Sequence, residues 1–202
     1  MGIYPVTLDP NRAKFLDYIH SNEHWHMDGT KYAVPPKATN LKCEVPPSSG
    51  GDTEFANLFA AYADLPESKK ARLEGLRVVH SAEAANLRFF KNPSAEDRQR
   101  WLKDGPPTEQ PLVWKQSDGR TSLVIGSTAD HIVGMDLEEG RALLDELLTW
   151  CTQPQYCYRH KWQKGDMVIF NNCGLLHRAH HYTVDSGRLM HRTTIMGTEA
   201  FA

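Results

Sequence analysis

Residues 156–179 read YCYRHKWQKGDMVIFNNCGLLHRA, a β-rich stretch near the end of the chain. Two β-rich runs, Tyr156–Trp162 and Met167–Asn171, flank the polar turn Gln163-Lys164-Gly165-Asp166, which is the pattern of a hairpin. The apolar pair Leu175-Leu176 and then His177 follow almost at once, a place where an exposed polar histidine would be unusual. His177 is therefore a candidate functional histidine. A last strand is expected over about Arg188–Met196.

The partner for His177 is sought near the other end of the chain, in His24-Trp25-His26-Met27-Asp28. On a strand, side chains alternate, so His24, His26 and Asp28 would share one face while Trp25 and Met27 occupy the other. An imidazole and a carboxylate two residues apart, joined by a distant second histidine, make the 2-His-1-carboxylate face of non-haem Fe(II) oxygenases. The alternative is an ordinary strand end with satisfied polar groups. His177 lies 177 − 28 = 149 residues after Asp28, so only the fold can join them.

Between these ends the chain alternates strands and helices. Pro35-Pro36 forces extended backbone, and Thr39–Val45 reads as a strand with Leu41, Cys43 and Val45 on one face. PPSSGGD over 46–52 is a connector. A helix is expected from Asp52-Thr53 to Pro66 on the spacing of Phe55, Leu58, Phe59, Tyr62 and Leu65, followed by a short helix over Glu67–Glu74 and a strand over Leu76–His80. Residues 81–111 are polar with one helix around Ala95–Lys103, and a segment of that length suggests a lid or insertion. Strands at Leu112–Lys115 and Ser122–Ile125 flank Asp118-Gly119. Asp136–Cys151 is the clearest helix, with Asp136 as cap, Glu139 placed for a capping box, and Leu143, Leu144, Leu147 and Trp150 as its stripe. The start of the chain shows only a short amphipathic piece, Asn11–Ile19. The fold class expected is mainly β with helices, a sandwich or barrel decorated by helices, for which a jelly roll is one closure.

At 202 residues, one domain over 1–202 is expected. With 23 Lys+Arg against 25 Asp+Glu there is no basic excess for nucleic acid, and no apolar run suits a membrane. The N-terminus lacks a signal-peptide pattern, so a cytoplasmic location is expected. Cys43, Cys151, Cys157 and Cys173 lack metal or disulfide spacing and read as reduced, mostly buried residues.

Arg188, Met190, Arg192 and Thr194 would share a face of the last strand. Two arginines on an inward face need anionic partners, unless they sit at exposed strand ends or pair with protein carboxylates. At this point the chain resembles the Fe(II)/2-oxoglutarate-dependent dioxygenases related to taurine dioxygenase and dichlorophenoxyacetate dioxygenase. The resemblance runs through WHMD at Trp25–Asp28, Pro35-Pro36, GGDTEFANLFAAY at Gly50–Tyr62, LEGL at Leu73–Leu76, YRHKWQKGDMVIFNN at Tyr158–Asn172, LLHRA at Leu175–Ala179 and GRLMHRTTIMG at Gly187–Gly197.

That resemblance implies a double-stranded β-helix, with His26, Asp28 and His177 as the Fe(II) triad. It implies Arg188 as the clamp for the far carboxylate of 2-oxoglutarate, Thr53 as an assisting hydroxyl, and Arg192 at the anionic end of the substrate, with Asn22 and Tyr4 as looser substrate contacts. The implied partners are a small anionic organic substrate, dioxygen and further copies of the chain as a homo-oligomer. The implied reaction couples decarboxylation of 2-oxoglutarate to hydroxylation of a sulfonate, aryloxyalkanoate or related acid, and the carboxylate at Asp28 favours hydroxylation over halogenation. The family's N-terminal segment before Tyr4-Pro5 has no counterpart here, and Lys31 and Asn171-Asn172-Cys173 also depart from the family pattern. A second reading is a jelly-roll module that binds metal and a small acid without turnover. A zinc hydrolase has less support because H-E-x-x-H is absent. His24 is set aside as a direct ligand.

Overall fold

A computed structural model describes residues 2–9 and 21–202. The piece expected over Asn11–Ile19 lies outside the described residues. Two antiparallel sheets form the sandwich that carries the site. One has four strands in the order β1 (Tyr4–Val6), β12 (Leu189–Ile195), β2 (Ala38–Val45) and β10 (Met167–Asn171). The other has β3 (Thr53–Asn57) at its centre, between β11 (Leu175–Ala179) and β9 (Cys157–His160). This is a jelly roll, as expected.

Alternation explains which residues enter the sandwich. On β2, Thr39, Leu41 and Cys43 point inward, whereas Val45, expected on the same face, is exposed at the strand end. Leu41 and Cys43 meet Phe55, Trp162, Phe170 and Met190 in a small core between the sheets. A larger core lies to one side, where α5 (Leu137–Cys151) buries Leu143, Leu144 and Leu147 with Leu58, Leu73, Trp114 and Ile132. Asp136 caps α5 by accepting from Glu138 N–H and Glu139 N–H at 3.0 and 3.1 Å. The Glu139 carboxylate reaches Arg72 at 3.3 Å.

The expected helix from Asp52 to Pro66 is corrected. Residues 53–57 are a strand paired on both sides, and only α1 (Leu58–Ala63) is helical, capped by the Asn57 side chain. Thr53 and Phe55 face the sandwich core, and two ladders of backbone hydrogen bonds override the helical spacing of the apolar residues. The expected hairpin across 163–166 is also corrected. β9 pairs with β3 and β10 pairs with β2, so the turn carries the chain from one sheet to the other.

The remaining elements are α2 (Glu67–Leu73), a sheet of β5 (Thr108–Pro111), β4 (Arg77–His80) and β8 (Ala129–Ile132), and the hairpin of β6 (Val113–Lys115) and β7 (Thr121–Leu123). The segment expected as a lid or insertion, 81–111, forms α3 (Ala82–Leu87), α4 (Ala95–Asp104) and β5, and none of it lines the site pocket. All four cysteines are free, with Cys43 and Cys151 fully buried and Cys157 and Cys173 partly so. Among the described residues no helix is long and apolar enough to cross a membrane.

Candidate metal centre

His26 and His177 are joined through their backbones. His26 N–H donates to the His177 carbonyl at 3.0 Å and His177 N–H to the His26 carbonyl at 2.9 Å, an isolated antiparallel bridge. The imidazoles are held side by side, ring centroids 4.1 Å apart. The 24–28 segment forms this single bridge rather than a strand, and the expected alternation holds for Trp25 and Met27 in the large core and His26 and Asp28 in the pocket but not for His24, whose ring lies outside it. Gly126 lets the chain pass: a Cβ there would lie 3.0 Å from the Trp25 carbonyl oxygen, and its φ of +120° suits glycine.

His26, Asp28 and His177 each present one ligating atom, and these atoms lie within 4.8 Å of one another. His26 Nδ1 donates to the His24 carbonyl at 2.8 Å. A carbonyl can only accept, so this bond leaves the Nε2 lone pair for a metal. His24 thus acts through its backbone, and its ring lies outside the pocket. Burial lowers the pKa of both His26 and His177, that of His177 well below the usual histidine range. Burial pushes the Asp28 carboxyl up, but the facing His177, Arg192 and His26 and the Thr39 hydroxyl overcome this, leaving it at about 2. Two neutral imidazoles and a carboxylate are the donor set that a divalent cation needs.

Asp28 is held in turn. Its Oδ2 accepts from Thr39 Oγ1 at 2.9 Å and Arg192 Nη2 at 2.5 Å, and it stands 3.9 Å from His177 Nε2. Thr39 Oγ1 accepts from Asn172 Nδ2 at 2.9 Å, so a buried chain runs from Asn172 through Thr39 to the carboxylate. His177 Nδ1 is buried with no hydrogen-bond partner among the described residues.

Arg188 enters the same pocket just before β12 and is 2% exposed. Its Nε donates to the Gly51 carbonyl at 3.0 Å, and its guanidinium lies 4.7 Å from the centre of the Tyr182 ring. A Cβ on Gly51, whose φ is +66°, would press on the Arg188 stem at 2.9 Å. Burial pushes the Arg188 pKa down, and among the described residues no carboxylate pairs with it. A buried guanidinium without an anion is costly, so the pocket fits a small carboxylate as well as a metal. Thr53 lines the same pocket.

The expected site residues therefore converge, with one exception. His26, Asp28, His177, Thr53, Arg188, Arg192 and Asn22 all line the pocket. Tyr4 does not; it faces Arg192 across the β1–β12 pairing, and its neighbour Val6 takes the wall position. Thr39, Phe170, Arg178 and Tyr182 line the pocket without having been foreseen. Of these only Thr39 carried a usable signal, as the inward polar residue on a strand whose other inward residues are apolar.

The model of the taurine catabolism dioxygenase TauD, TfdA family matches residues 3–194. The chain belongs to the TauD/TfdA family. It is 39% identical over 178 residues to the alpha-ketoglutarate-dependent 2,4-dichlorophenoxyacetate dioxygenase of Burkholderia sp. (strain RASC), covering 88% of this chain and 59% of that protein. It is 37% identical over 199 residues to the (S)-phenoxypropionate/alpha-ketoglutarate-dioxygenase of Sphingobium herbicidovorans, covering 96% and 69%. Among solved structures, AAD-2 in complex with Mn(II) and N-oxalylglycine superimposes with a TM-score of 0.85 at 34% identity, covering 93% of this chain and 74% of that one. The chain thus spans about three-fifths to seven-tenths of the length of these curated family members.

Proposed function

We propose that residues 1–202 form one Fe(II)/2-oxoglutarate-dependent dioxygenase domain that hydroxylates a small organic acid, with aryloxyalkanoate-type carboxylates as the first class to test. The observation that carries this reading is the convergence on one pocket of the His26–Asp28–His177 cluster and the buried Arg188 guanidinium, which no carboxylate among the described residues pairs. The relatives that act on 2,4-dichlorophenoxyacetate and phenoxypropionate support the substrate class.

His26, Asp28 and His177 would hold the metal, leaving positions open for chemistry. Fe(II), when bound, supplies the redox chemistry that couples dioxygen and decarboxylation of 2-oxoglutarate to oxidation of a C–H bond. Arg188 takes the distal carboxylate through paired charge-assisted hydrogen bonds, and the Thr53 hydroxyl adds a neutral donor. The apolar wall of Leu41 and Phe170 keeps water from the reacting centre. Arg192 recognises the substrate anion. Because it already contacts Asp28 at 2.5 Å, it brings that anion close to the metal-binding carboxylate and helps orient the substrate.

The test supplies protein reconstituted with Fe(II), 2-oxoglutarate and oxygen, and measures succinate across aryloxy acids, sulfonates and sulfate esters. At least one acid should raise succinate above the uncoupled background, and His177→Ala should abolish the increase. Turnover that no substrate stimulates, or a His177→Ala variant of unchanged activity, defeats the proposal.

A further inference from the structure

The Thr53 hydroxyl has a single hydrogen-bond partner among the described residues, the Trp162 indole N–H at 2.9 Å. An indole nitrogen only donates, so Thr53 Oγ1 must accept, and its own proton is left for a group inside the pocket. Trp162 does not line that pocket. It is buried behind Thr53 in the small core between the sheets, so it reaches the site only through the hydroxyl.

The indole is held from behind. His160 meets it in an edge-on contact with ring centroids 4.4 Å apart, and His160 Nε2 lies 3.0 Å from Asp166 Oδ2. The same Asp166 oxygen accepts from Gln163 N–H at 2.9 Å, bracing the turn that crosses between the sheets. On the pocket side, Arg188 is anchored to the Gly51 carbonyl, two residues before Thr53. Arg188 Nη1 also reaches the Tyr182 hydroxyl at 3.5 Å, but no carboxylate among the described residues pairs with the guanidinium, so its charge and the Thr53 hydroxyl proton are both left for a group in the pocket they line.

We propose that Trp162 is a positioning residue for the acid co-substrate: its N–H fixes the Thr53 hydroxyl so that the hydroxyl proton joins Arg188 in binding a carboxylate. Without the indole donor the hydroxyl can turn its proton elsewhere and part of this preorganisation is lost. The inference rests on the 2-oxoglutarate reading given above.

The experiment titrates 2-oxoglutarate into Mn(II)-loaded protein by calorimetry. Trp162→Phe should raise the Kd about fivefold, the scale of one neutral hydrogen bond. Mn(II) affinity should be unchanged, and kcat with Fe(II) at saturating 2-oxoglutarate should be retained. In a Thr53→Ala background the same change should add nothing, because the donor it orients is gone. Replacing Trp162 by benzothienylalanine, which keeps the ring shape and lacks the N–H, repeats the comparison with packing preserved if phenylalanine does not fold. A Kd that neither replacement raises, or an equal loss with and without the Thr53 hydroxyl, overturns the role of Trp162 and leaves the co-substrate reading standing. Wild-type protein that does not bind 2-oxoglutarate overturns the co-substrate reading, and the inference with it.

Discussion

Asp28 Oδ2 accepts from both Thr39 and Arg192, and Thr39 is itself held by Asn172. Outer partners of this kind orient a ligand carboxylate and typically change metal affinity by about 10–100-fold when removed. Thr39→Val should therefore weaken Mn(II) binding at the low end of that range, about tenfold, with the fold intact by circular dichroism. His80 makes a separate test at the same scale. It is 1% exposed, its Nδ1 sits 2.9 Å from Thr128 Oγ1, and burial pushes its pKa down to about 4. A histidine whose folded pKa is depressed binds its proton more readily when unfolded. Its contribution is therefore full above about pH 6.5 and is lost as pH falls toward the folded value of about 4. On moving from pH 7.5 to pH 5, wild type should lose about 2 kcal/mol more than His80→Gln in urea unfolding. Equal losses would show that His80 is not the buried neutral group.

Among the secondary-structure elements, β3 and the turn after β10 decide where the chemistry sits. The segment TEFAN at 53–57 carries apolar residues that also suit a helix, and its strand state comes from pairing with β9 and β11, whose sequences lie more than 100 residues away. Local propensity contains no record of those partners. Helix α5 shows the opposite case, since its Asp136 cap and leucine stripe are local and read correctly. The 171–174 turn is pressed against α1, where a Cβ on Gly174 would stand 2.0 Å from the Phe59 ring. Gly174→Ala should cost about 2 kcal/mol or more through overpacking and lower the urea midpoint. The same variant should also weaken metal binding, because β11 carries His177.

For the whole molecule, the centre lies between elements drawn from both ends of the chain, so ligands should act as a clamp on the folded state. At about 100-fold excess over Kd, a ligand stabilises by about 2.7 kcal/mol, which for a chain of this size corresponds to roughly 5–10 °C in melting temperature. Mn(II) with 2-oxoglutarate should give a shift of that order in a thermal melt. Arg188→Leu should keep the part due to Mn(II) and lose the part due to 2-oxoglutarate. If 2-oxoglutarate shifts wild type and Arg188→Leu equally, the acid does not bind at Arg188.

Legible along the chain were the placement of His26 and Asp28 opposite Trp25 and Met27, the cap and stripe of α5, and the ordered motifs shared with the family. Each is written in residues close together along the chain. Packing between distant segments makes 53–57 a strand, carries the 163–166 turn between the sheets, pairs Arg192 with Asp28 and sets Trp162 behind Thr53. Both side-chain contacts join residues more than 100 positions apart. Such contacts form when strand register aligns distant side chains, and that register belongs to the folded sheets.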